Sequence, residues 1–488
     1  MKRIITIVIG LIMGTTIFLT SGKWCYAINT TDFYVDGVNG SNINAGDNKS
    51  VVTSTNGNWD ATNSSFTAAS GTPFSGSSVG DFAAVYIDAA SSTSYISRIT
   101  AVNNGGATLV LSNINFGGTA PSTSATGRSC TVGGQWKGPL NTQLFPFGLI
   151  TPVMVDVSSD ITRVNFKNNI SSFSLTTTLQ YSNGSLTAVT IFQGYSATPG
   201  DGGKAIFDWG NTANQMVNLS NGQDTLWADL WFRNNITQPG LSNGGSNGAN
   251  QVFYRVIVSG AGGNCFSNSN SHIFLQDEAY NCGKSNGANT AGFGPSSGFL
   301  WLCNSHDSTG SNVSGYRATG TTIYVNVIGS HNGKYGLEDA TTGTNNYVEI
   351  IDSDFANNTS DGIALSNTTS NHGIHIANVN LVNNGGYGIH GTTANQRIGV
   401  IEKNGFFNNT SGTTNSTNML EINSFNYASN PYFNMNTGDF RMKNQAGMGT
   451  GVGNFTVFGD TISALVSYLN VGAVKNKQFP GGSLVIAH

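Results

Sequence analysis

The chain has 488 residues, and only 9% of them are charged, 21 Lys and Arg against 25 Asp and Glu, while glycine alone accounts for 63. So few, slightly acidic charges exclude a nucleic-acid role, which needs clustered Lys and Arg for phosphate. The 38% of hydrophobic residues arrive in short β-branched runs and exclude a disordered polar chain.

Residues 1–27 read as an export signal. Lys2 and Arg3 give a charged start, residues 4–19 an almost unbroken apolar run, and Cys25-Tyr26-Ala27 small residues at the positions a signal peptidase inspects. The rival reading is an uncleaved membrane anchor, for which the run is barely long enough; the bulky Trp24 speaks against a lipid-anchored start. The protein is therefore expected to be secreted or at the cell surface, with no membrane span after cleavage. Losing Lys2, Arg3 and Lys23 from the 21 basic residues leaves 18 against 25 acidic ones, a mildly acidic balance. Cys130, Cys265, Cys282 and Cys303 remain, without zinc-ligand spacing. They permit two disulfides in three connectivities, or stacked free thiols.

Residues 28–149 are expected to form a first strand, at Phe33-Tyr34-Val35-Asp36-Gly37-Val38-Asn39-Gly40, and a small β-rich capping subdomain. Residues 79–111 carry several strand-like runs with a hairpin at Asn104-Gly105-Gly106. Further on, residues 224–232, 252–258 and 273–275 read as strands.

From about residue 322 to 410 the chain repeats every 26 residues. Gly336, Gly362 and Gly388 each precede an apolar residue: Leu337, Ile363 and Ile389. Thr322, Val348, Ile374 and Val400 form a second column; Phe355, Leu381 and Phe407 a third; Tyr324, Ile350 and Ile376 a fourth. Apolar and polar residues alternate over three to five positions between Gly/Asn clusters, which is strand periodicity. A 26-residue unit of short strands cannot bury its apolar face alone, so the chain must coil until each strand pairs with its copy one rung later, at about 4.8 Å. Upstream the register loosens: Gly315-Tyr316 precedes Gly336-Leu337 by 21 residues, and Asn304 aligns with Asn326 at 22. The solenoid is predicted over 150–425. Residues 426–488 would add last rungs and a cap, since an open rung exposes a strand edge.

A fifth column is polar: Asn326, Asp352, Asn378 and Asn404. Amides stacked at a turn can bond along the solenoid and to backbone groups freed by the bend. This pattern resembles the asparagine ladder of pectate-lyase-like proteins. The resemblance implies an all-β, right-handed parallel β-helix with three sheets and about 26 residues per rung. The segment at 33–40 resembles the first strand of many secreted β-helix proteins, although Ser41-Asn42-Ile43-Asn44 intervene where relatives carry an Asp. Residues 430–433, 438–442 and 471–474 resemble their closing segments.

Strand parity then assigns faces. With Leu337, Ile363 and Ile389 inward, Glu338, Ala364 and His390 point outward in one column, preceded by Arg317. By the resemblance, this face carries the substrate groove. Arg317 and nearby Lys334 could neutralise a sugar carboxylate while Glu338 or His390 takes or gives a proton. The plainer alternative is a solvated Arg317–Glu338 ion pair beside an ordinary surface histidine. Asp339 would face the following turn. A second outward column holds Glu349 and His375, best read as a structural pair. Asp277-Glu278 and His306-Asp307 read as surface groups that could help bind calcium, the one cofactor the sequence leaves open.

The paired aspartates and Gly-His-Gly segment of polygalacturonases are absent, Arg397-Ile398-Gly399 lacks their lysine, and the calcium-binding aspartate cluster of pectate lyases is not found. Two functions fit: a polysaccharide-directed lyase or hydrolase acting on an acidic glycan, or a non-catalytic adhesin or matrix solenoid that binds glycans. The partner in either case is polysaccharide; the chain gives no oligomeric state.

Overall fold

The computed structural model describes residues 30–41, 45–46, 49–86, 94–117, 120–135, 161–182, 190–221, 225–243, 251–308, 310–341, 346–366, 373–391, 398–416, 419–434, 436, 439–442, 456–457 and 460–461. The export signal and residues 471–474 lie outside them, as do Asp47, Asp224 and Arg397. Among the described residues the chain is all β apart from 3-10 turns at Asn104–Gly106 and at Asn436, and no helix is long and apolar enough to cross a membrane. Two compact units divide the chain: residues 1–210, 217–231 and 245–252, and residues 211–216, 232–244 and 253–488.

The first unit contains a closed antiparallel barrel of six strands in the order Val52–Asp60, Ser65–Thr67, Thr108–Gly117, Ser94–Asn103, Phe82–Tyr86 and Ala125–Val132. Its core is aromatic: Trp59 meets Tyr95 edge-on at 5.9 Å and Phe66 meets Phe74 at 6.0 Å. The hairpin read at Asn104-Gly105-Gly106 is present, with φ of 52°, 64° and 102°. Gly106 has no alternative there, since a Cβ would sit 2.3 Å from the Ser75 nitrogen. The strands Val52–Asp60, Ser65–Thr67 and Ala125–Val132 were not visible in the hydrophobic pattern. The same unit carries parallel strands: Thr30–Val35 pairs with Ile161–Lys167, that with Thr190–Tyr195, and that with Thr225–Ala228. The register puts Phe33, Val164, Phe192 and Trp227 in one buried column, with Phe192 and Trp227 stacked at 4.5 Å.

The second unit is a parallel β-helix. Each full rung has three strands, and each strand pairs in parallel with its counterpart one rung later, giving three ladders. The first runs through Thr322–Val325, Tyr347–Ile351, Gly373–Ala377, Ile398–Glu402 and Met419–Ile422. The second runs from Ile257–Ser259 through Ile328–Ser330, Asp354–Ala356 and Asn380–Val382 to Phe425–Asn426. The third includes Val313–Ala318, Leu337–Asp339, Ile363–Leu365, Tyr387–Gly391 and Gly412–Asn415. In the long strand Thr290–Trp301, the first part pairs in the third ladder and the second part in the first.

The predicted apolar columns hold over three rungs and slip on the fourth. Ile374 pairs with Gly399 and Leu381 with Phe406, so Val400 and Phe407 sit one place beyond the columns read for them. The rung there is one residue shorter. The left-handed bend residues report the same step: Asn326, Asp352 and Asn378 are followed by Lys403, with φ of 53°, 51°, 61° and 52°. Asn404 is thus not a member of that column; its Oδ1 accepts the Val379 N–H at 2.8 Å. Asn304 likewise pairs with Ile328, and Leu302 occupies the bend that aligns with Asn326.

The continuous amide ladder stands at the next bend, six residues downstream of the predicted one. Asn332, Asn358, Asn384 and Asn409 bond in series, each Nδ2 donating to the next Oδ1 at 3.0, 3.0 and 2.9 Å. The same amide nitrogens reach the carbonyls of Ser305, Gly329 and Phe355. This ladder explains the glycine column. A Cβ on Gly336 or Gly362 would lie 2.8 or 2.9 Å from the ladder nitrogen of Asn358 or Asn384, and 2.6 or 2.8 Å from a glycine carbonyl one rung on.

The outer side of the second ladder is sealed near its end. Tyr427, Tyr432 and Phe440 bury Ile328, Ala356 and Val382, with Tyr432 and Phe440 on the antiparallel pair Tyr432–Asn434 and Asp439–Met442. Asp354 is buried beneath, accepting bonds from Asn380 and the Tyr432 hydroxyl. Of the cysteines, Cys265 and Cys282 form one disulfide instead of the two permitted, while Cys130 and Cys303 are buried free thiols that are not stacked, Cys130 lying in the barrel core.

Candidate active site on the outer face of the third ladder

Arg317 pairs with Glu338, Glu338 with Ala364 and Ala364 with His390, so the outward column predicted from parity is continuous. The structure brings Arg317, Lys334 and Glu338 together. Arg317 Nε lies 3.3 Å from Glu338 Oε2, and Lys334 Nζ lies 3.8 Å from Oε1. The Ser366 hydroxyl donates to Oε1 at 3.1 Å. The ion pair of the plainer alternative is present, but its carboxylate is buried and not solvated: Glu338 is 5% exposed, whereas Arg317 and Lys334 side chains are 22% and 26% exposed. Yet Glu338 Oε2 accepts no hydrogen bond among the described residues, and Arg317 Nε donates none. Two cations therefore converge on one buried carboxylate with polar capacity in reserve.

His390 stands two rungs from Glu338, about 10 Å along the axis, with the buried Ala364 between them. Its partner is a residue that parity did not single out. Asp361, buried at the turn before Gly362, accepts from His390 Nδ1 at 3.1 Å through Oδ2 and from the Tyr387 backbone N–H at 2.7 Å through Oδ1. The Tyr387 ring lies 4.9 Å from the imidazole. Space for the carboxylate depends on Gly386, where a Cβ would come within 2.1 Å of Asp361 Oδ1. Asp361 has a sequence signal of its own, since Tyr335, Asp361 and Tyr387 fall 26 apart, each just before a column glycine. Tyr335 responds to charge in both halves of the site. Burial first, then the Asp361 and Glu338 carboxylates, push its hydroxyl pKa up, and Lys334 Nζ sits 4.6 Å from its ring centroid.

The remaining candidates lie elsewhere. Asp339 is buried in the turn that follows its strand and accepts the Thr341 N–H at 3.1 Å. Glu349 and His375 pair at 3.3 Å on the first ladder, with Glu402 3.9 Å from the other ring nitrogen. Asp277 is not a surface carboxylate: it is buried and accepts the Val256 and Leu275 N–H groups at 2.7 and 3.0 Å. His306 is clamped between Glu278 at 2.9 Å and Asp307 at 2.8 Å and stacks on Tyr280. Burial works against its protonated form, but the two carboxylates prevail and hold its pKa at about 9. Among the described residues no group of three or more His, Cys, Asp or Glu side chains is placed to hold a metal ion.

No family model matches the chain, and no curated protein does. Among solved structures it is similar to the pectate lyase Pel9A, with a TM-score of 0.43 and 15% identity over 66% of this chain and 88% of that one. It is also similar to the A-module of the mannuronan C-5 epimerase AlgE4 of Azotobacter vinelandii, with a TM-score of 0.37 and 13% identity over 54% and 86%. The catalytic domain of a GH87 α-1,3-glucanase follows at 0.28 and 10%, over 77% and 89%. The fold assignment itself rests on the strand pairing.

Proposed function

We propose that the outer face of the third ladder binds an acidic polysaccharide and performs proton transfer on it, as a lyase. The observation that carries this reading is the pair of partly exposed cations, Arg317 and Lys334, on the same face as a histidine two rungs beyond Glu338 whose Nε2 makes no hydrogen bond among the described residues. In β-elimination a base removes the proton next to the uronate carboxylate while a cation offsets the charge that develops there. Glu338 and His390 are the candidates for moving that proton. Hydrolysis instead needs two carboxylates flanking the bond, and Glu338 already shares its charge with both cations.

The second reading is a glycan-binding solenoid without catalysis, favoured by that same internal neutralisation of Glu338. The mature protein would be incubated with pectin, polygalacturonate, alginate and glycosaminoglycans, with calcium and with chelator. Ultraviolet absorbance of unsaturated uronate ends and reducing ends would be read together. Absorbance lost in Arg317→Ala establishes the lyase and its site. Reducing ends without absorbance point to a hydrolase. Silence in both with retention on a glycan column leaves the binding solenoid.

A further inference from the structure

We infer that Asp361 is a positioning residue that fixes His390 as the Nδ1–H tautomer, so that the imidazole enters the reaction as a proton acceptor at Nε2. The inference rests on the lyase reading for its chemistry, but its geometry stands apart from any substrate. A carboxylate can only accept, so the 3.1 Å contact between Asp361 Oδ2 and His390 Nδ1 requires the proton on Nδ1. The neutral ring then carries its lone pair on Nε2.

Asp361 is itself held from three sides. Its other oxygen is fixed by the Tyr387 N–H, its position before Gly362 is set by the rung, and Gly386 leaves the space it fills. The titratable groups around the pair are Tyr387, whose ring packs beside the imidazole, and Tyr335, which responds to the Asp361 charge. Glu338, the rival base, is tied to Arg317, Lys334 and Ser366 and has no such single partner.

The step balances within the site. Nε2 takes the proton from the carbon next to the carboxylate, and the C–H electron pair becomes the new C=C bond as the C–O bond to the departing sugar breaks. The oxygen leaves with its electron pair and receives the proton back from the imidazolium, whose charge Asp361 has stabilised meanwhile.

The test is nitrogen NMR on the mature protein with 15N-labelled histidine, with His390 assigned by its loss in His390→Gln. The expected result is a wild-type His390 in the Nδ1–H form once neutral, and a mixed or Nε2–H population in Asp361→Asn. A wild-type His390 in the Nε2–H form, or a tautomer unchanged by Asp361→Asn, overturns the inference. The wild-type spectrum decides the matter even if the variant does not fold. On a turned-over glycan, Asp361→Asn should lower kcat at least tenfold with KM nearly unchanged and displace the pH profile, whereas a purely structural residue would leave the profile in place. Since the tautomer needs no substrate, failure to process any glycan would count against the lyase reading alone.

Discussion

Two polar rows run along the same rungs of the second unit and differ in how completely they close. Along the row Asn332, Asn358, Asn384 and Asn409, the side chains bond in series and to backbone carbonyls, with Asn332 Oδ1 at the first member left without a hydrogen bond among the described residues. Along the outer face, Glu338 Oε2 and His390 Nε2 make no hydrogen bond among the described residues, and Arg317 Nε donates none. A row that serves the fold spends its donors and acceptors internally, because an unmet polar group in the interior is costly.

The largest expected effect comes from breaking the closed row. Asn358 bonds Gly329 O, Asn384 Oδ1 and the nitrogens of Asn332, and Asn358→Ala would orphan these groups in a buried site. The expected cost is about 3–5 kcal/mol, read from urea unfolding; a loss below about 1 kcal/mol would show that the ladder does not hold the rungs.

An ionic clamp around a buried histidine gives the next effect. His306 is more basic folded than its ordinary 6.5, so its contribution is complete below that value and is lost as pH rises through about 9. Wild type should lose up to roughly 3 kcal/mol between pH 6.5 and 10, and His306→Gln should show little of that slope. Parallel curves for the two proteins would refute the clamp.

The smallest stability effect belongs to the open row. His390→Gln removes a partly exposed ring with one hydrogen bond and should change unfolding by less than about 1 kcal/mol, while any glycan turnover is lost. A large destabilisation would mean that His390 supports the fold and that the two rows do not differ as described.

The fold was readable in the sequence because no side chain fits before these strands: Gly336 and Gly362 face ladder amides and a glycine carbonyl, while Gly388 faces Phe406 and the Thr413 carbonyl, so glycine repeats at all three. The ladder was found only in part: Asn378 donates to Asp352 as read, but the series does not reach Asn326 or include Asn404, and the continuous row lies at the next bend. Asn326, Asp352 and Asn378 share its spacing, and periodicity cannot tell which of two bends turns its amides into a chain. The one-residue slip at Gly399 was hidden for a related reason: a loop can shed a residue without altering the strand composition on either side. At the site, parity found Glu338 and His390 because both lie within strands. It passed over Asp361, which sits at the turn where alternation stops applying. The barrel strands Val52–Asp60 and Ala125–Val132 escaped because they lack clean alternation, with few apolar residues in the second.

The rung carrying Ala364 has a wider meaning for how such a site can change. Two groups mounted on successive coils of one wall can be moved apart or together only by whole coils, each about 4.8 Å. The spacing between the charge cluster and the imidazole is therefore quantised: inserting or deleting a complete repeat would reset it in one jump, and no point substitution can slide it by a fraction. Divergence in such a protein proceeds by discrete steps in reach and by free exchange of side chains at fixed stations.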